Sequence, residues 1–255
     1  MVAFTKKQCV VSGVRVDVLE AGNGEPVVYF HGAGAVSGFD GLLPIAQSRR
    51  LIVPIHPGFG ASEDDLRIDN VFDYAIHYAS LFRQLGLEKP VDVIGHSLGG
   101  WIAALVAGLT RVQVRRLVLA CPAGLRVAGI TTTDLFTIPA EKFLSYLVSD
   151  PATLEKMSGM VPTVDTRVAK YREMTSLARV IWDKNYEPKL DRWLEHIDAP
   201  TLVMWGREDR ILPLALADHW AKRIPNAEVQ TFAGAGHLLF TESLDPLQAA
   251  IKFLD

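Results

Sequence analysis

A serine hydroxyl is a weak nucleophile until a base takes its proton, and the base needs a carboxylate to orient it. One serine of this 255-residue chain sits in a setting suited to that chemistry. Val91-Asp92-Val93-Ile94 is a short apolar run, and it leads into Gly95-His96-Ser97-Leu98-Gly99, a G-x-S-x-G turn. Side chains at 95 and 99 would collide with the neighbouring strand and helix, so glycine stands at both places. The pentapeptide alone occurs by chance. Its flanks give it weight, because Trp101 to Leu109 is apolar all round and reads as a buried helix. That helix begins at the serine and points free N–H groups toward any negative charge formed there.

A base and an acid must then lie at the ends of later strands. After the apolar run Thr201–Trp205 comes Gly206-Arg207-Glu208-Asp209, and after Glu228–Phe232 comes Ala233-Gly234-Ala235-Gly236-His237. Ser97, Asp209 and His237 stand in the chain order expected of a hydrolase triad. Glu208 competes with Asp209, and the Gly-x-x-Asp spacing favours Asp209. A tetrahedral intermediate also needs two N–H groups for its oxyanion, each worth roughly 10²–10³ in rate. Leu98, just after the nucleophile, supplies one. The other falls in His31-Gly32-Ala33-Gly34, with Ala33 ahead of Gly34, and His31 is expected to brace that loop rather than to react.

The elements that position these residues alternate. Val10-Val11 and Val14–Leu19 read as antiparallel strands; Val27–Phe30, Leu51–Val53, 91–95 and 114–120 read as further strands. Helices are expected over 69–85, with Asp69 or Asn70 as N-cap, and over 97–109. From Pro122 to Leu194 only helical patterns occur, over 140–148, 151–157 and 167–182. Strands return at 201–205 and 228–232, with helices near 213–222 and 242–254. The pattern implies an α/β fold with a mostly parallel sheet flanked by helices, residues 1–121 and 195–255 forming the core and 122–194 a helical cap over the site.

Composition excludes several classes. The chain is 49% hydrophobic and 22% charged, as ordinary globular proteins are. Its formal net charge of −3 gives no reason to expect nucleic acid or an anionic membrane as partner. Two distant cysteines, Cys9 and Cys121, argue against a disulfide framework and for a reducing compartment. With no signal-peptide pattern before Ser12 and no run long enough to span a bilayer, a cytoplasmic location is expected. Gly32-Ala33-Gly34 begins an imperfect dinucleotide fingerprint, but Ser37 replaces its third small residue, and Arg49 and Arg50 stand where the acidic residue belongs. No cofactor is expected, and no metal, since no H-E-x-x-H or C-x-x-C occurs.

His31–Gly34, His56-Pro57-Gly58-Phe59-Gly60-Ala61-Ser62, Gly95–Gly100, Trp205–Asp209 and Gly236-His237 together resemble the α/β-hydrolase family over nearly the whole length outside the insert. The resemblance implies that Ser97, Asp209 and His237 are nucleophile, acid and base and that Pro122–Leu194 is the cap. Serine at 97, where dehalogenases and epoxide hydrolases of this fold carry aspartate, disfavours those activities. The opening loop and cap are similar to those of hydrolases that cleave carbon–carbon bonds in meta-cleavage products. Those enzymes have asparagine at the place of His96 and tryptophan at the place of Leu238.

The insert is rich in Phe136, Ile138, Phe143, Leu144, Tyr146, Leu147, Met157, Met160, Tyr171, Met174, Ile181 and Trp182. Most should pack within the insert, and some should face Ser97, so an apolar or aromatic substrate is expected. Arg167, Arg172 and Arg179 are expected on solvated helix surface, with a substrate carboxylate as the alternative. The expected activity is cleavage of a carboxylic ester through an acyl-enzyme. Alternatives are C–C, thioester or amide cleavage by the same triad, and a ligand receptor on the same fold. An apolar cap surface would also offer a route to a homo-oligomer.

Overall fold

The computed structural model describes residues 2–35, 38–159 and 162–255; Ser37 and Met160, named above, lie outside them. One sheet of eight strands runs through the described residues. Its strands are β1 (Thr5–Val11), β2 (Val14–Ala21), β3 (Pro26–Phe30), β4 (Arg50–Pro54), β5 (Val91–His96), β6 (Val114–Ala120), β7 (Thr201–Gly206) and β8 (Ala227–Phe232). Their order is β1-β2-β4-β3-β5-β6-β7-β8. β2 pairs antiparallel with β1 and β4, and the remaining neighbours are parallel. This is the α/β fold with a mostly parallel sheet that the strand–helix alternation implies.

The order places the site. After β3 the chain moves one way to β4, then returns past β3 to β5. Loops leaving the carboxyl ends of β3 and β5 therefore diverge and leave a crevice between them, the switch point at which open α/β sheets bind ligands. Phe30 is paired with Gly95 in the β3–β5 register, so His31 and His96 leave the sheet side by side. Every residue of β5 is buried. That is why it reads as a continuous apolar run instead of an alternating one.

Helix α1 (Val71–Gln84) is capped by the Asn70 side chain, which accepts from Asp73 N at 3.1 Å. Helix α2 (Leu98–Leu109) follows Ser97 directly and is buried from Leu98 to Val106. Between β6 and β7 the described residues form no strand. They hold α3 (Phe143–Leu147), α4 (Pro151–Ser158), α5 (Val164–Ile181) and α6 (Leu190–Trp193). The chain ends with α7 (Ala215–Arg223), α8 (Leu239–Glu242) and α9 (Leu244–Leu254). No helix among the described residues is long and apolar enough to cross a membrane.

Three boundaries differ from expectation for identifiable reasons. β1 starts at Thr5, not near Val10, because it is an exposed edge strand whose Lys6, Lys7 and Gln8 carry no apolar alternation. α5 starts at Val164 rather than 167, where the Thr163 hydroxyl accepts from Thr166 N at 3.2 Å. The helix expected over 242–254 breaks at Ser243, which is extended and caps α9 by accepting from Asp245 N at 3.2 Å. A helix through 243 would have needed an N–H that Pro246 lacks, whereas the break puts Pro246 in the first turn, where N–H groups are unpaired anyway.

Gly99 sets the distance between α2 and β3. A Cβ there would stand 2.0 Å from Phe30 O and 2.5 Å from His31 O, so the backbone itself would have to move. Gly99→Ala is expected to lower stability by about 1–3 kcal/mol, the usual range for overpacking. Urea unfolding of the two proteins checks this, and coincident midpoints would contradict it.

Candidate active site

Ser97 stands between the last residue of β5 and the first of α2, with φ 54° and ψ −116°. For a side chain-bearing residue this is a costly region, of order 1–3 kcal/mol, and it persists only where the surroundings dictate it. Here they do. Ser97 N donates to Ala120 O at 3.0 Å, and Ser97 O accepts from Gly100 N, Trp101 N and Ala123 N at 2.9, 3.1 and 3.0 Å. At Gly95 a Cβ would lie 2.4 Å from Gly99 O and 2.7 Å from the Ala103 methyl. Gly95 thus lets the helix turn back against the strand, and Gly99 lets it pass β3.

The ends of β7 and β8 carry the acid and base candidates to this turn. His237 Nε2 is 2.9 Å from Ser97 Oγ, and His237 Nδ1 is 2.8 Å from Asp209 Oδ2. A carboxylate only accepts, so Nδ1 carries the proton and the bare Nε2 receives the serine hydroxyl. The other Asp209 oxygen accepts from Ile211 N and Leu212 N at 2.8 and 2.9 Å, which fixes the carboxylate against rotation. Burial pushes the Asp209 carboxyl up. Electrostatic attraction to the His237 ring and the hydrogen bonds from His237, Leu212 and Ile211 outweigh this, so it lies below its ordinary value of 3.8. Glu208 is exposed and takes no part in this chain of contacts.

Ser97 opens onto a cavity of about 390 Å³ whose wall also carries Ala33 and Leu98. Among the described residues, neither Ala33 N nor Leu98 N donates to an acceptor. Gly34 is not on that wall. The loop carrying Ala33 is held by imidazoles. His31 Nδ1 donates to Gly32 O at 2.7 Å, and His31 Nε2 accepts from His56 N at 3.0 Å. His56 Nε2 donates to His31 O at 2.8 Å, and its Nδ1 meets the Tyr78 hydroxyl. Burial lowers both imidazoles, His31 to about 4, so the pair is neutral near pH 7 and acts as a brace.

Two residues matter here whose contacts sequence reasoning left aside. His96 Nε2 donates to His237 O at 2.8 Å, tying the end of β5 to the loop that carries His237. Glu242 Oε1 accepts from Gly236 N at 2.8 Å, while its Oε2 accepts from Ser149 N at 2.6 Å and Asp150 N at 2.8 Å, linking the His237 loop to the insert. His96 was visible as the first variable position of G-x-S-x-G; Glu242 had no local signal. Arg167 and Arg172 are exposed, as expected. Arg179 is not free surface: its guanidinium grips Asp64 at 2.6 and 2.9 Å and Ile68 O at 2.8 Å, which anchors α5 to the core.

Of the twelve large apolar residues singled out in the insert, Phe136 and Ile181 are on the cavity wall, beside Leu125, Ile130, Leu135 and Leu177. Tyr171 and Trp182 face outward instead. Among the described residues, Cys121, Asp209 and His237 form a group of metal-ligand types, their atoms within 4.8 Å of one another. Asp209 and His237 already use theirs on each other. Burial first, then the Asp209 charge, pushes the Cys121 thiol well above its ordinary value, so it is no ready metal ligand.

Residues 27–250 match the family described as "Alpha/beta hydrolase family". The chain belongs to that family. It is an enzyme, a hydrolase. The α/β hydrolase is 28% identical over 256 residues to 2-hydroxymuconate semialdehyde hydrolase of Pseudomonas putida, with 91% of this chain and 87% of that one covered. It is 29% identical over 209 residues to monoacylglycerol lipase ABHD6 of Homo sapiens, covering 74% of this chain but 61% of that one. Its fold matches a serine hydrolase involved in carbazole degradation, with TM-score 0.78, 24% identity and 99% of each chain covered. A meta-cleavage product hydrolase from Pseudomonas fluorescens IP01 gives TM-score 0.79 at 20% identity, over 97% of each chain.

The hydrolase buries several neutral histidines, which makes its stability depend on pH. Burial holds His31 and His77 down to about 4 and His96 to about 3, against an ordinary 6.5. As pH falls from about 6.5 toward 4, the unfolded chain takes these protons before the folded one does. Stability should therefore decline in that window, by up to about 1.4 kcal/mol per pH unit for each such histidine. Asp209, whose value is depressed, adds a loss in the same direction only below 3.8. Urea midpoints measured at pH 7, 6 and 5 should fall steadily; equal midpoints would contradict the assignment of neutral buried imidazoles.

Proposed function

We propose that this hydrolase cleaves a carboxylic ester of an apolar or aromatic small molecule through an acyl-enzyme on Ser97, with residues 122–194 acting as the cap. The observation that carries the reading is the continuous relay from Asp209 through His237 to Ser97, 2.8 and 2.9 Å long, at the wall of a cavity where the Ala33 and Leu98 N–H groups have no acceptor among the described residues.

In this mechanism His237 Nε2 takes the Ser97 proton as Oγ attacks the ester carbonyl. Ala33 N–H and Leu98 N–H hold the oxyanion, and Asp209 stabilises the imidazolium. His237 returns the proton to the leaving alcohol. Water then attacks the acyl-enzyme with His237 as base, releasing the acid and restoring Ser97. The cavity wall contributed by Trp101, Leu125, Phe136, Leu177, Ile181 and Leu212 favours an apolar acyl group. Two unpaired cysteines, Cys9 and the buried Cys121, agree with work in a reducing compartment such as the cytoplasm.

The similarity to 2-hydroxymuconate semialdehyde hydrolase favours a second reading, cleavage of a carbon–carbon bond by the same residues. His96 and Leu238 are the departures from that class noted in the sequence.

A short-chain p-nitrophenyl ester should give a burst of about one equivalent followed by steady turnover. In Ser97→Ala both should vanish, with kcat down by at least about 10⁴-fold. Absence of a burst, with Ser97→Ala equal to wild type, would overturn the ester reading. Faster turnover of a 2-hydroxy-6-oxo-dienoate than of every ester tested would favour the second.

A further inference from the structure

Helix α5 lies on the core through three polar side chains spaced three residues apart, Glu173, Ser176 and Arg179. Glu173 and Ser176 are buried, at 4% and 2% exposure. Ser176 Oγ donates to Gly58 O at 3.3 Å, and Arg179 holds Asp64 and Ile68 O as described. Glu173 makes the bonds that matter most here. Its Oε1 accepts from Ala35 N at 3.1 Å and from Gly60 N at 3.0 Å. Its Oε2 lies 3.7 Å from where a Cβ on Gly34 would stand.

These two N–H groups belong to different core loops, one leaving β3 and the other leaving β4. A single carboxylate oxygen from the insert therefore ties both loops together. Burying a carboxylate is costly unless its hydrogen bonds are made, and an apolar residue would seat a helix here without that cost. What the carboxylate supplies is an acceptor for part-buried N–H groups that no strand satisfies, through charge-assisted bonds stronger than neutral ones. Ala33 stands two residues before Ala35, with the His31–His56 brace on its other side. The loop that presents Ala33 N–H to the cavity is thus fixed at one end by core imidazoles and at the other by the insert.

We infer that Glu173 is a positioning residue: by holding Ala35 N and Gly60 N it sets the direction of the Ala33 N–H toward the oxyanion, and so makes transition-state binding depend on the docked position of α5. The inference rests on the ester-cleavage reading above for the role of Ala33. A shift of the insert that drew Glu173 away would loosen the oxyanion site without touching Ser97, Asp209 or His237.

The test compares wild type, Glu173→Ala, Glu173→Asp and Glu173→Gln, with each concentration corrected by active-site titration. Glu173→Ala should lower kcat about 10–100-fold, up to the loss of one oxyanion donor, with little change in KM. The affinity for phenylboronic acid, which forms a tetrahedral adduct on the serine, should fall by the same factor. Amide hydrogen exchange at Ala35 and Gly60 should quicken. Glu173→Gln keeps an acceptor oxygen and should restore most of each value; Glu173→Asp, one methylene short, should fall between and serves if the alanine variant does not fold. Wild-type kcat and boronate affinity in correctly folded Glu173→Ala would overturn the proposal, as would a loss accounted for wholly by a smaller active fraction. Failure of the ester-cleavage reading would appear in wild type itself, as no burst and no boronate adduct. Exchange then decides: unchanged protection over residues 33–35 overturns the tie, and lost protection upholds it.

Discussion

Ser97 can hold φ 54° only because the chain on either side of it carries no side chain that would force strand and helix apart. With Gly95 packed against Gly99 O and Ala103, and Gly99 packed against the end of β3, helix α2 passes within backbone contact of the loop that carries Ala33. That single close approach brings a strained serine, a helix N-terminus and a second loop to one point. The strand order supplies the space, since the crevice between β3 and β5 is where the sheet reverses direction. Remaining features of the site are arranged around that point, not independent of it.

A second principle organises the surroundings: buried or half-buried carboxylates are used as acceptors for backbone N–H groups of loops. Asp209 holds Ile211 and Leu212, Glu173 holds Ala35 and Gly60, and Glu242 holds Gly236, Ser149 and Asp150. Glu173 and Glu242 join segments that no strand pairing joins, while Asp209 fixes its own loop. Buried imidazoles do the complementary work in neutral form, with His31 and His56 bracing the β3 loop and His96 tethering the His237 loop. The site is rigid because its loops are cross-linked by polar groups whose partners are satisfied. The buried imidazoles among them make its stability sensitive to pH.

The legible features of the sequence were local. Ser97 declares itself through the glycines around it and the apolar runs before and after, and Asp209 and His237 through their places just past later strands. The parallel sheet follows from the alternation of apolar strands with helices. What stayed hidden is long-range. Periodicity locates α5 within a few residues, but it cannot say that Glu173 meets Ala35, 138 positions away, or that Arg179 meets Asp64 instead of solvent. A polar residue on a helix has the same appearance in sequence whether it faces water or a buried loop. The edge strand β1 was half missed for a related reason, because an exposed strand needs no apolar alternation.

The most direct test of the account is covalent labelling with a fluorophosphonate followed by peptide mass spectrometry. The relay and the two N–H groups should direct phosphorylation to one oxygen, giving one adduct per chain on the peptide containing Ser97. Ser97→Ala should abolish it, and Asp209→Asn should slow it by orders of magnitude while leaving the fold intact. A chain that takes no label, or takes it at another residue while Ser97 stays unmodified, would contradict the assignment of Ser97 as the activated nucleophile.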